Sequence, residues 1–294
     1  MPLKDIFVHA DNSSNGAVRL DYAIRLATGH DAHLTGLYVA SPDTGPVPSA
    51  TPGPSYALPD FGGRSLQDYD KKAHDLAASH HEHARFAADA IYQRFEKAAG
   101  DAGIRHQWSH QQGSLIDILT HEARFADVAI VGQPGPDAAR RFGETVTDHL
   151  LLSVGHPVLV VPTGAKDLGV GKRVMIGWDR SPLATRAVHN SRPFMRNAES
   201  VHILAINLAP DQHGGLPGSG ITEHLGRHDI DVNTVRVDDT SDALADIIIG
   251  EAQKLDIDLI IMGAYGQSRL RERILGGTTY RMLNNSPIPM LMSH

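Results

Sequence analysis

Gly263, Gly266 and Gly276 follow one another in the spacing Gly-x2-Gly-x9-Gly, and Gly277, Thr278 and Thr279 come directly after them. Residues of these types in this pattern suit one task, the holding of a phosphate. Glycine lets the backbone approach an anion closely. A helix N-terminus adds unpaired N–H groups and a favourable dipole. Arg269, Arg271 and Arg273 lie between the second and third glycines and can meet phosphate oxygens. The spacing is neither the dinucleotide fingerprint GxGxxG nor the Walker loop GxxxxGK[ST]. A carboxylate, Asp179, ends the run Arg173–Trp178 (RVMIGW). It is placed either to touch a ligand or to cap the helix that follows.

These residues need elements to hold them, and the chain supplies each element twice. Asp5–Ala10 (DIFVHA) ends at Asp11, just as RVMIGW ends at Asp179. A helical pattern follows in each half, at Ala17–Ala27 and Ala184–Met195, then a second strand at Leu34–Val39 and Ile203–Leu208. Third strands are expected at Ile104–Ser109 and Val232–Val237, helices at Leu115–Arg124 and Ala243–Leu255, and fourth strands at Val128–Gly132 and Leu259–Gly263. Each half closes with a helix, a proline and an apolar run, Pro157–Val161 and Pro289–Met292. Such internal repetition must be found before topology is argued.

The seam is the Gly-rich stretch Thr163–Gly171. The expected domains are residues 1–164 and 172–294, each large enough for its own core. Strands alternate with helices, so each half reads as βαβ units around a parallel sheet. The fourth strands VAIVG and LIIMG are apolar throughout, as suits strands covered on both faces. The fold class is therefore α/β: two Rossmann-like, doubly wound α/β/α domains with five-stranded parallel sheets, in tandem duplication.

The net charge of −7 argues against non-specific nucleic-acid binding. No apolar run approaches the roughly 18–20 residues of a membrane span. The sequence MPLKDIFVHA enters a strand at once and lacks a signal peptide's apolar core. With no cysteine there is no disulfide and no thiolate zinc site. The expected location is the cytoplasm.

The glycine spacing, the duplicated strands and the terminal aspartates together resemble the universal stress protein family, in its tandem form. In that family a Gly-x2-Gly-x9-Gly-Ser/Thr motif surrounds the phosphates and ribose of ATP. The match departs at Gly277, where nucleotide-binding members carry Ser or Thr. The resemblance implies an adenine nucleotide as ligand, ATP with or without magnesium. It implies a ligand contact for Asp179 and an adenine edge met by the main chain at Ile206 and Asn207. Gly263, Gly266, Gly276, Gly277, Thr278 and Thr279 complete the expected binding set. The resemblance also implies pairing of the two final apolar strands, which here would join the halves within one chain, with a homodimer of whole chains as a further step.

The halves differ where chemistry would occur. The first keeps Gly132 and Gly135, but nine residues on stands Thr145, and Pro134 and Pro136 crowd the loop. Proline removes a backbone donor, and a phosphate nest needs successive N–H groups. The expectation is thus one nucleotide per chain, in the second half, with Asp11 acting only as a cap. The stretch Ser41–Asp70, rich in Pro, Gly and Ser, reads as a long loop over the first cradle. His74, His80, His81 and His83 read as a solvated helix face, since two ligands on one face are too few for a structural metal site. His156 reads as the entrance to a strand. No GxSxG elbow and no pair of metal-binding carboxylates is apparent, so no catalytic residue is expected and at most slow ATP hydrolysis. The reading is a stress-response module binding adenine nucleotide in its second half. Beside it stand an interaction protein of the same fold with decayed sites, and a slow ATPase.

Overall fold

The computed structural model describes residues 2–13, 15–40, 86–134, 145–164, 169–208, 218–239, 243–266 and 277–294. The sequence expectations for the 41–70 loop, the His74–His83 cluster, Gly135, Pro136, Gly276 and the three arginines fall outside them.

The first half runs β1 (Asp5–His9), α1 (Gly16–His30), β2 (His33–Ala40), the helical residues 86–101 (α2), β3 (His106–Gln112), α3 (Leu115–Ala123), β4 (Val128–Gly132), α4 (Val146–Ser153) and β5 (Val158–Val161). The second runs β6 (Arg173–Gly177), α5 (Pro182–Asn190), α6 (Arg192–Arg196), β7 (Ser200–Ile206), α7 (Ser219–Gly226), β8 (Asn233–Val237), α8 (Leu244–Lys254), β9 (Leu259–Gly263), α9 (Thr278–Asn285) and β10 (Met290–Ser293). The helical pattern at 184–195 forms two helices rather than one. Ser191 ends α5, and the N–H groups of Phe194 and Met195 turn back onto its carbonyl. Pro193, which lacks an N–H to donate, stands in the first turn of α6 where none is needed.

The ten strands of the described residues form a single sheet in the order β3-β2-β1-β4-β5-β10-β9-β6-β7-β8. Pairing is parallel within each half. At the middle β5 and β10 run antiparallel, with Met290 opposite Val160, Leu291 opposite Leu159 and Met292 opposite Val158. The two apolar closing strands thus cover each other.

Alternation along the strands sorts side chains into two cores, each continuous across this joint. Ile6, Val8, Leu159, Ile176, Ile261 and Leu291 face one layer, with Leu20 of α1, Phe95 of α2 and Val188 of α5. Phe7, Ala129, Val158, Met175, Ile260 and Met290 face the other, with Leu119 of α3, Leu150 of α4 and Met282 of α9. Burying each such large side chain stabilises the fold by roughly 1.5–3 kcal/mol. The duplication extends to the amino edge of the sheet. There Asp127 accepts from the N–H groups of Lys4 (2.6 Å) and Asp5 (3.1 Å), as Asp258 does from Lys172 (3.0 Å) and Arg173 (2.9 Å).

Candidate functional site

In each half the first strand is flanked by the second on one side and the fourth on the other, so chain order reverses between β6 and β9, and between β1 and β4. Open α/β sheets leave a crevice at the carboxyl ends of the strands at such a switch point. In the second half this crevice is a cleft of about 320 Å³. Gly177, Trp178 and Asp179 come from the end of β6, Leu204 and Ile206 from β7, and Met262, Gly263 and Gly266 from β9 and beyond. Ser181 and Leu183 contribute from the start of α5, Leu244 and Ile248 from α8, and Thr278 and Thr279 from the start of α9. One side is thus apolar, and the other carries glycine backbone, hydroxyls and one carboxylate.

Six expected residues meet at this cleft: Asp179, Ile206, Gly263, Gly266, Thr278 and Thr279. Gly277 is the residue before α9 and makes no side-chain cap. Thr279 is 3% exposed, and its Oγ1 accepts from the Tyr265 N–H at 3.1 Å. Asn207 is elsewhere engaged. Its side chain donates to the Asp239 carbonyl and accepts from the Asp239 N–H (2.8 Å), and its own N–H goes to the Val237 carbonyl (3.0 Å). Asp179 is not the N-cap of α5. That role belongs to Ser181, whose Oγ accepts from the Ala184 N–H at 3.0 Å, while Asp179 accepts from the Ser181 N–H at 2.9 Å. Gly263 is required by packing: an added Cβ would fall 2.8 Å from Leu183 Cβ, 2.9 Å from Leu183 C and 3.0 Å from Ala184 N.

The same positions in the first half carry other residues. Strand pairing makes His9 the counterpart of Gly177 and Gly132 that of Gly263, and the same register carried along the sequence sets Asp11 against Asp179 and Arg19 against Ala187. Arg19 is 2% exposed. Its Nε donates to the His9 carbonyl at 2.6 Å, its Nη2 pairs with Asp11 Oδ2 at 2.8 Å, and its Nη1 occupies the space where a side chain on Gly132 would go. Burial opposes ionisation of Asp11, but the charge of Arg19, with His9 and the Ser13 hydrogen bond, outweighs it and holds the carboxyl at about 2. His9 is half-buried. Burial first, then the Arg19 charge, lower its imidazole to about 3. Asp11 is therefore an ion-pair partner rather than a cap, since Asn15 is the N-cap of α1, and the Arg19 guanidinium takes up the space beside Gly132. A signal that the halves differ here was in the two strands set side by side: DIFVHAD has His where RVMIGWD has Gly.

Thr145, read as the counterpart of Gly276, stands structurally where Gly277 does, each preceding the last helix of its half. It makes a capping box with Asp148. His156 lies just before β5 and bonds the Ala123 carbonyl at 2.6 Å. Among the described residues there is no group of three His, Asp or Glu that could hold a metal ion, and no helix is long and apolar enough to cross a membrane.

Two halves of one duplicated sheet, each with the same switch point and joined edge to edge by their closing strands, define a tandem α/β protein of the universal stress class. The universal stress protein family matches residues 2–162 and 171–294, and the chain belongs to it. Universal stress protein Slr1230 of Synechocystis sp. is 23% identical over 230 residues, 74% of each chain. A universal stress protein from Archaeoglobus fulgidus DSM 4304 shares the fold with a TM-score of 0.71 at 17% identity, covering 98% of this chain and 97% of its own. A putative universal stress protein from Pseudomonas aeruginosa UCBPP-PA14 reaches 0.53 at 15% identity, over 99% and 93%.

Proposed function

We propose that this chain is a stress-response module that binds one adenine nucleotide, taken here as ATP, in the cleft of its second half. The observation that carries the reading is the contrast at the two switch points. The second carries a cleft beside Gly177, Gly263 and Gly266, whereas in the first the buried Arg19 guanidinium takes up the space beside Gly132. The cleft volume lies within the usual range of small-molecule sites. Leu204, Ile206, Leu244, Ile248 and Met262 would cover a flat base and sugar. Backbone at Gly263 and Gly266, with the first turn of α9 and the Thr278 and Thr279 hydroxyls, would meet phosphate oxygens. Asp179 would accept a hydrogen bond from the nucleoside. Asn207 has its side chain and N–H committed, so a ligand would meet its main-chain carbonyl. A bound triphosphate supplies charge and a sensor of adenylate level. Magnesium would be brought with the nucleotide.

Calorimetric titration with ATP and magnesium tests the proposal, with native mass spectrometry of the purified chain beside it. One site per chain is the expected result, and two equivalent sites would sink it. No heat at millimolar ATP would favour an interaction protein of the same fold, a reading to which the missing hydroxyl at Gly277 lends its weight. Phosphate release under the same conditions separates a slow ATPase from a binding module.

A further inference from the structure

The loop that carries Gly263 and Gly266 is held by a residue of the other half. Tyr265 lies between the two glycines, is 5% exposed and takes φ +59°. A bulky aromatic residue in the left-handed region is uncommon and persists only where its surroundings hold it. Two hydrogen bonds do so here. Its N–H donates to Thr279 Oγ1 at 3.1 Å, tying the loop to the first turn of α9. Its hydroxyl donates to Asp148 Oδ1 at the first turn of α4, across the β5–β10 joint. Asp148 is itself fixed, since its Oδ2 accepts from the N–H and the hydroxyl of Thr145, each at 2.8 Å. A continuous chain of hydrogen bonds thus runs from the end of the first half to a wall of the second half's cleft.

The linkage runs one way. The position equivalent to Tyr265 in the first half is Pro134, which has no hydroxyl, and the position equivalent to Asp148 in the second is Tyr280. Only the half with the open cleft receives this support.

We propose that Tyr265 and Asp148 are positioning residues: the first half, through Asp148, sets the shape of the second half's phosphate loop. The linkage stands on the hydrogen bonds alone, and its effect on ligand affinity rests on the nucleotide reading above. The test uses the full chain with Tyr265→Phe, Asp148→Ala, the double variant and Thr145→Ala. In the absence of nucleotide, amide exchange in the segment Gly263–Gly266 should quicken in both single variants, and no further in the double, because both remove one interaction. ATP affinity should fall roughly tenfold in each single variant, as for loss of a hydrogen bond to a charged group. It should fall no further in the double. Thr145→Ala, which removes the α4 cap and one of the two bonds that fix Asp148 but leaves Tyr265 its acceptor, should lower the unfolding midpoint and affect loop exchange and affinity less than either single variant does. Unchanged exchange in Tyr265→Phe, multiplying effects in the double, or equal loosening in Thr145→Ala would overturn the proposal. If the wild type takes up no ATP, the nucleotide reading fails, and the exchange experiment still decides the linkage.

Discussion

The two switch points of this chain share strand order and a glycine at the end of the fourth strand, yet their side chains differ. The second has a cleft beside Gly177 and Gly263. In the first, His stands at the position of Gly177, and the buried guanidinium of Arg19 lies beside Gly132, paired with Asp11. A duplicated fold can thus keep one backbone plan while its two halves carry different side chains at the same place.

The sharpest way to break this comparison is to remove the ion pair. Asp11→Ala leaves the buried Arg19 charge without its partner. It should cost about 3 kcal/mol of stability while nucleotide affinity stays unchanged, as urea unfolding and calorimetry would show together. Gly263→Ala should cost about 2 kcal/mol, because its Cβ meets backbone of α5 that cannot move alone. Gly132→Ala should cost less, about 1 kcal/mol, because its Cβ meets the end of a side chain. Equal melting shifts for the two would contradict that account.

Gly177→His gives the cleft the residue that stands at the same position in the first half. It should weaken ATP binding by about 10-fold or more, through overpacking of roughly 1–3 kcal/mol, and full affinity in this variant would show that this position does not decide occupancy. Asp179→Ala should weaken binding by about 1 kcal/mol, at the low end for a lost hydrogen bond because the residue is exposed. A further effect is read through pH and belongs to one half-buried ring. The folded-state pKa of His9, about 3, is below its unfolded value. The unfolded chain therefore takes up the proton first, and stability falls as pH drops from about 6.5 towards 3. His9→Gln should flatten that part of the decline, read as the urea midpoint at pH 7 and pH 4.5. A slope equal to the wild type's would remove His9 from the account.

Much of the fold was legible because strand periodicity and duplication reinforce each other. VAIVG and LIIMG announce strands covered on both faces, and the paired terminal aspartates fix the alignment of the halves. The joining of the closing strands followed from the family resemblance, their apolar character showing only that each needs a cover. Gly263 was read as room for a phosphate, whereas what its Cα faces is the start of α5, at Leu183 and Ala184. What was not legible depends on side chains distant in sequence. Arg19 reaches back to His9 and Asp11, and Asn207 is occupied by Asp239, 32 residues on. Tyr265 finds Asp148 across 117 residues. The break between α5 and α6 was hidden because an apolar period of 3.6 runs through Ser191 without a change.

The antiparallel joint of β5 and β10 also sets a timetable. Val158–Val161 is fully buried only when Met290–Ser293 lies against it, and that partner leaves the ribosome about 130 residues later. At about 5–20 residues per second, the first half waits roughly 6–26 s with an apolar edge strand uncovered. Throughout that interval the nascent chain offers a template for other strands. Its yield in the cell should therefore depend on translation speed and on chaperones that shield the edge, more than on the stability of the finished sheet.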